Sequence, residues 1–251
     1  MRGPAPTGPT GSDEEVQFRE HSRLQREYFE QAEQRTLKPT GSAYLRRHVD
    51  RMMEFARIGP GDRVLEVGAG MGRYTLILAE RGVGVEAMDL SAQLLETIRG
   101  ESEGRIPVHA LDIVEAPADM HGRFDAVVGF FVLHHVHDVE ACLSMASRLV
   151  RPGGRVAFIE PNPSNPLYYV QIFLTPEMRW SSEKGLLRMK PQLLFPWMER
   201  AGLVDTDLRR FGFFPPFVTN LPFGVPLERA FERVPLWRPG LPFQLFGGER
   251  P

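Results

Sequence analysis

A single cysteine, Cys142, occurs in 251 residues, so no internal disulfide can staple this chain and its fold does not depend on an oxidising compartment. Cys142 stands beside Leu143 in an amphipathic stretch, where a packed thiol is expected rather than a nucleophile. Lysine is nearly absent: apart from Lys38, Lys184 and Lys190 the basic charge falls to arginine. With 22 prolines and 24 glycines, that is the composition of a GC-rich bacterial gene. Neither sign of charge dominates, since 30 Lys and Arg against 32 Asp and Glu leave a net charge of −2. The chain therefore lacks the basic stripe that grips a phosphate backbone, and pairs such as Arg46-Arg47 and Arg209-Arg210 read as solvated faces. No apolar run approaches the ~20 residues that span a bilayer. The first twelve residues, MRGPAPTGPTGS, lack the apolar stretch of a signal peptide. A cytoplasmic protein is expected, without nucleic-acid partners or stable membrane insertion.

What is present is an ordinary globular balance, 42% hydrophobic and 25% charged, in a length that suits one large α/β domain or a domain with a lid. After the Pro- and Gly-rich tail (1–12), a charged helical arm is expected over 13–58. Its second helix is capped by Ser42 and carries an apolar stripe at Leu45, Val49, Met52, Met53 and Ala56. From 59 to 163 short apolar strands alternate with helices, the pattern of a parallel sheet. Strands are expected at 63–67, 84–88, 107–111, 124–131 and 155–160, with helices at 73–81, 91–98 and 139–150. From 164 to 251 the text is less regular. It suggests a lid at 175–190, helices at 191–201 and 227–234, and strands at 204–213 and 243–246.

The sharpest signal is Glu66-Val67-Gly68-Ala69-Gly70-Met71-Gly72, after a strand and before a helix. Glycines allow a tight turn and a close ligand approach, and the following helix start offers N–H groups. A dinucleotide site would place glycine at 73, where this chain has Arg73, so the loop fits a nucleoside better than a pyrophosphate. Asp89 ends the second strand, where such sheets open a ligand crevice and a carboxylate can accept from ribose hydroxyls. Asp112, followed by Ile113, ends the third strand, where an acid can accept from an adenine amino group.

These features, with Leu111-Asp112-Ile113, Phe124-Asp125 and Arg151-Pro152-Gly153-Gly154, resemble the class I S-adenosylmethionine-dependent methyltransferases. The likeness is closest to the branch of ubiquinone and menaquinone biosynthesis and small-molecule enzymes, and it is strongest over 61–161. It implies a Rossmann-like, mostly parallel seven-stranded sheet with helices on both faces, an N-terminal helical arm and a lid-like insertion. It implies S-adenosylmethionine as cofactor and S-adenosylhomocysteine as product. By this resemblance Gly68, Ala69, Gly70 and Gly72 line the methionine part, and Asp89 holds the ribose. Leu90, Asp112 and Ile113 meet the adenine, Gly129 and Phe130 supply backbone contacts, and Glu66 organises the loop.

Methyl transfer from a sulfonium asks the protein chiefly to align the reactants and exclude water. A base helps only where the acceptor loses a proton, and the candidates are His135 and, second, His134 in Leu133-His134-His135-Val136-His137-Asp138. Adjacent histidines diverge from one another, so this string is not read as a metal site. The fourth strand lacks the motif of enzymes that methylate base amines. Aromatics at 168, 169, 173, 180, 195, 197, 211, 213, 214 and 217 suggest a bulky apolar or aromatic small-molecule acceptor. A quinone or lipid-like acceptor and a catalytically silent cofactor-binding protein are the alternatives.

Overall fold

The computed structural model describes residues 16, 20–27, 39–174 and 184–251. The tail at 1–12 and most of the expected lid, 175–183, lie outside the described residues. The described part of the arm, 20–27, is helical and is labelled α1. Helix α2 (Ala43–Ala56) starts where the Ser42 hydroxyl accepts from the Leu45 amide, and it ends on Arg57 in the left-handed region.

Alternation then builds β1 (Arg63–Val67), α3 (Thr75–Glu80), β2 (Gly84–Asp89), α4 (Ala92–Glu101), β3 (Val108–Ala110), β4 (Phe124–Phe130), α5 (Val139–Leu149) and β5 (Val150–Pro161). After α6 (Pro166–Leu174) come α7 (Pro191–Arg200), β6 (Val204–Phe211), α8 (Pro216–Thr219), α9 (Gly224–Glu232) and β7 (Phe243–Glu249). The helix expected at 73–81 is shorter because turns over 71–74 carry the chain out of the glycine loop first. Strand β5 begins five residues earlier than expected. Pro152-Gly153-Gly154 is not a turn before the strand but an irregularity inside it, held by the Gly153 amide on Arg250 O and the Arg250 amide on Gly154 O.

All seven strands form one sheet in the order β3-β2-β1-β4-β5-β7-β6, with β7 antiparallel to both of its neighbours. β4 reads as an apolar run because it is covered on both faces. α2, α3 and α4 bury Leu45, Val49, Leu78, Leu95 and Ile98 on one face. α5 and α7 bury Cys142, Leu143, Leu194 and Met198 on the other. Cys142 is thus a packing thiol, pushed up in pKa by its burial. Phe124, Phe158 and Phe246 are fully buried, and truncating any one to alanine costs about 3–5 kcal/mol.

The chain runs outward from β1 to β3 and then returns to the opposite side of β1 as β4. That reversal opens a crevice at the carboxyl ends of β1 and β4, and it decides where a ligand can sit.

Candidate active site

Every strand bordering the crevice ends in a residue singled out by the sequence. After β1 the chain doubles back, and the amides of Gly68 and Ala69 both donate to Met88 O. The Gly70 amide donates to the Asp89 carboxylate at 2.8 Å, and the Ser91 amide donates to its other oxygen at 2.9 Å. Asp89 therefore ties the glycine loop to the start of α4, and two backbone amides fix its orientation.

All three glycines have positive φ, of 71°, 52° and 85° in chain order. A Cβ on Gly68 would lie 2.2 Å from Val132, and one on Gly72 would lie 2.6 Å from Ile98. A Cβ on Gly70 would meet nothing within 4 Å. So Gly68 and Gly72 are required by the protein's own packing, and Gly70 alone leaves an open approach. Glu66, buried beneath the loop, accepts from the Thr75 hydroxyl at 2.6 Å and so spans the turn. Burial pushes its carboxyl up to about 8; the Thr75 bond opposes the rise and the Asp89 charge adds to it.

Asp112 caps the turn after β3, accepting from the Val114 amide, and its second oxygen accepts from the Ser22 hydroxyl of α1 at 3.3 Å. Burial raises its pKa, opposed by those two bonds. Leu90 is half-buried beside Asp89. Ile113, expected to offer an apolar face, is 3% exposed and packs into the core under α5. It can contribute only backbone, and Leu90 is left as the accessible apolar neighbour.

Past β4 the chain is held with unusual thoroughness. Gly129 is a glycine because a Cβ would meet the Phe158 ring at 2.6 Å. Phe130 stacks on Tyr74 at 4.2 Å. Phe131 then takes a φ of 57°, a left-handed conformation costing a bulky residue roughly 1–3 kcal/mol. Glu160, fully buried, accepts from the amides of Val132 and Leu133 and pairs with His134 Nδ1. Arg188 donates to the carbonyls of His134, Val136 and His137, and His21 of α1 bonds His135 O at 2.8 Å. His134 is therefore 3% exposed and locked, while the His135 ring is half-buried beside it.

His48 of α2 was invisible to sequence reasoning, since a lone histidine in an apolar stripe carries no signal of its own. It is 2% exposed, and its ring is surrounded by Tyr44, Tyr74, Phe131, Phe211 and Phe243 at centroid distances of 4.6–6.2 Å. Nδ1 lies 2.8 Å from Tyr44 O and donates to it. Nε2 is then the bare nitrogen, and it has no hydrogen-bond partner among the described residues. Burial, aided by the charges of Arg73 and Arg47, pulls its pKa down to about 4 against the Tyr44 bond, so the ring is neutral at pH 7.

The aromatics expected to line one acceptor pocket are dispersed. Phe195 and Trp197 pack on the α5 side of the sheet, and Phe213 and Phe214 gather around Phe231. Phe217 is 75% exposed, and of those among the described residues only Phe211 joins the His48 cluster. Trp180 lies outside the described residues, as does the side chain of Phe173.

A methyltransferase-domain family model matches residues 32–208. The chain is 30% identical over 161 residues to the ubiquinone biosynthesis O-methyltransferase of Xanthomonas axonopodis pv. citri (strain 306), covering 61% of this chain and 67% of that protein. To the enzyme of the same name from Alkalilimnicola ehrlichii it is 32% identical over 162 residues, or 62% of this chain and 66% of that protein. Among solved structures, a SAM-dependent methyltransferase from Archaeoglobus fulgidus shares the fold at a TM-score of 0.59 and 16% identity, over 84% of this chain and 95% of that one. Haemonchus contortus phosphoethanolamine N-methyltransferase 2, solved with S-adenosyl-L-methionine, shares it at a TM-score of 0.58 and 16% identity, over 82% of this chain and 52% of that one. The chain belongs to the class I S-adenosylmethionine-dependent methyltransferases. Its methyl donor is S-adenosylmethionine, and the open Gly70 beside a carboxylate of fixed orientation fits an adenosyl ligand.

Proposed function

We propose that this enzyme methylates an O, N or C atom of a small, bulky apolar or aromatic metabolite. The observation that carries the reading is the ring cluster around His48, three of whose members, Tyr44, Phe131 and Phe243, are only half-buried at the crevice end of α2, β4 and β7. Half-buried rings offer an apolar acceptor the stacking and edge contacts that a polar one would not repay. An aromatic or quinone-like ring methylated on oxygen is the second reading, and the names of the ubiquinone-pathway relatives favour it.

In this proposal Asp89 holds the ribose hydroxyls, and Asp112, Leu90 and the Ile113 backbone hold the adenine. Gly68, Ala69, Gly70 and Gly72 carry the methionine part, with Gly70 in closest approach and Glu66 as organiser beneath. Gly129 and Phe130 present backbone groups. Ser22 and His21 of α1 touch Asp112 and the 133–137 segment, which supports the arm as a cover that excludes water. The donor supplies a methyl group already activated on a sulfonium, so the residues above need only orient and desolvate. His134, tied to Glu160, positions the β4 end, and His135 is the accessible imidazole for an acceptor proton. His48, buried behind Tyr44, Phe131 and Phe243, positions those rings rather than touching the acceptor.

Comparing metabolites of a deletion strain and its parent tests the reading. A pair of compounds separated by one CH₂, the heavier absent from the deletion strain and apolar or aromatic, is the expected result. A strongly polar acceptor, or no such pair, would overturn it.

A further inference from the structure

Two arginine pairs that look like solvated faces in the sequence come together in space. A cavity of about 940 Å³ opens between α2, the middle of β6 and α9, on the flank of the molecule rather than at the crevice. Nine of its fifteen lining residues are arginines, and the six carboxylates that line it or pair with them, Asp50, Glu54, Glu80, Asp207, Glu228 and Glu232, leave a formal +3 in a chain whose net charge is −2.

The cavity has two zones. Deep in the wall, Arg47 is 4% exposed and pairs with the buried carboxylates of Glu228 and Glu232, and Arg51 pairs with Glu232. Those charges are neutralised within the protein, as burial demands. At the rim, Arg210, Arg229, Arg233 and Arg238 have no carboxylate partner among the described residues. The Arg210 Nε is itself buried and makes no hydrogen bond among the described residues. Several arginines elsewhere on the surface are matched, among them Arg123 to Glu86, Arg151 to Asp125 and Arg200 to Glu140.

Like charges gathered in one concavity repel and focus a positive potential into it. Guanidinium groups present planar donor forks that suit phosphate oxygens. A single carboxylate would compensate one of the four rim charges, whereas each phosphate monoester brings about −1.5 to −2. We propose that this cavity binds a ligand carrying two or more phosphate charges, either a free phosphorylated compound or a phospholipid headgroup, at a site separate from the methyl-transfer crevice.

The test is calorimetric titration of the full chain with pyrophosphate at about 0.15 M salt, run beside sedimentation with vesicles of phosphatidylcholine with or without phosphatidic acid, whose headgroup is a phosphate monoester. The double variant Arg229→Ser/Arg233→Ser replaces exposed side chains, and its unchanged affinity for S-adenosylhomocysteine reports an intact fold. Arg99→Ser/Arg105→Ser removes the same charge away from the cavity. Binding to pyrophosphate that weakens about tenfold or more in the cavity variant, and not in the control, supports the site with a free phosphorylated compound as its source. The same loss confined to phosphatidic acid vesicles supports it with a headgroup as the source. Binding in neither arm, or equal losses in the two double variants, overturns it.

Discussion

Gly68, Gly70 and Gly72 share a left-handed backbone but differ in what lies where a side chain would be. Alanine at 68 must displace Val132 in addition to bearing its strained φ, so Gly68→Ala should lower unfolding stability by roughly 2–4 kcal/mol in a urea titration. Alanine at 70 meets open space, so only the backbone cost of about 1–2 kcal/mol applies. Its larger effect should be on cofactor affinity, read by calorimetry. Equal stability losses at the two sites would contradict the distinction drawn between packing glycine and approach glycine. The spacing of these glycines was legible from the text, as were Asp89 and Asp112, because local turn chemistry dictates them. Which glycine touches protein was not, because Val132 and Ile98 come from elsewhere in the chain. His48 was hidden for the same reason, its five aromatic neighbours arriving from α2 itself, the loop after β1, the end of β4, β6 and β7.

At the scale of elements, the segment after β4 depends on one carboxylate. Glu160 takes two backbone amides and the His134 ring, so Glu160→Ala strands buried donors and should cost about 3–5 kcal/mol, seen as a large fall in melting temperature. An unchanged melting temperature would show that the 132–134 corner holds itself. The strands and helices from 59 to 163 could be read from apolar runs and the cap Ser91, and α2 from its cap Ser42, since propensity and pattern agree there. The insertion of β7 between β5 and β6 could not be read from pattern, because it is decided by long-range antiparallel pairing. Nor could the reach of α1 to Asp112, which joins residues 90 apart in sequence.

At the scale of the whole molecule, buried titratable groups couple stability to pH. The His48 pKa of about 4 lies below the ordinary 6.5, so the unfolded chain takes up a proton that the folded chain refuses as pH falls from 6.5 to 4. That loss amounts to about 3 kcal/mol in favour of unfolding. Glu66, raised to about 8, has the opposite sense: its contribution is full below 4.5 and fades as pH rises through 8. The two slopes oppose each other between pH 4.5 and 6.5, so the wild-type curve alone does not separate them. Comparing melting temperatures of wild type and His48→Phe does. The variant should gain on wild type as pH falls from 6.5 toward 4, and parallel curves would contradict a buried neutral histidine. The same variant should retain S-adenosylhomocysteine affinity.

The convergence of the Gly70 loop, Asp89 and Asp112 on one adenosyl group is tested most directly by calorimetric titration of S-adenosylhomocysteine into wild type and Asp89→Ala. Binding to the wild-type chain that weakens about tenfold or more in the variant is the predicted result. Equal affinities in the two proteins, or no binding to either, would contradict it.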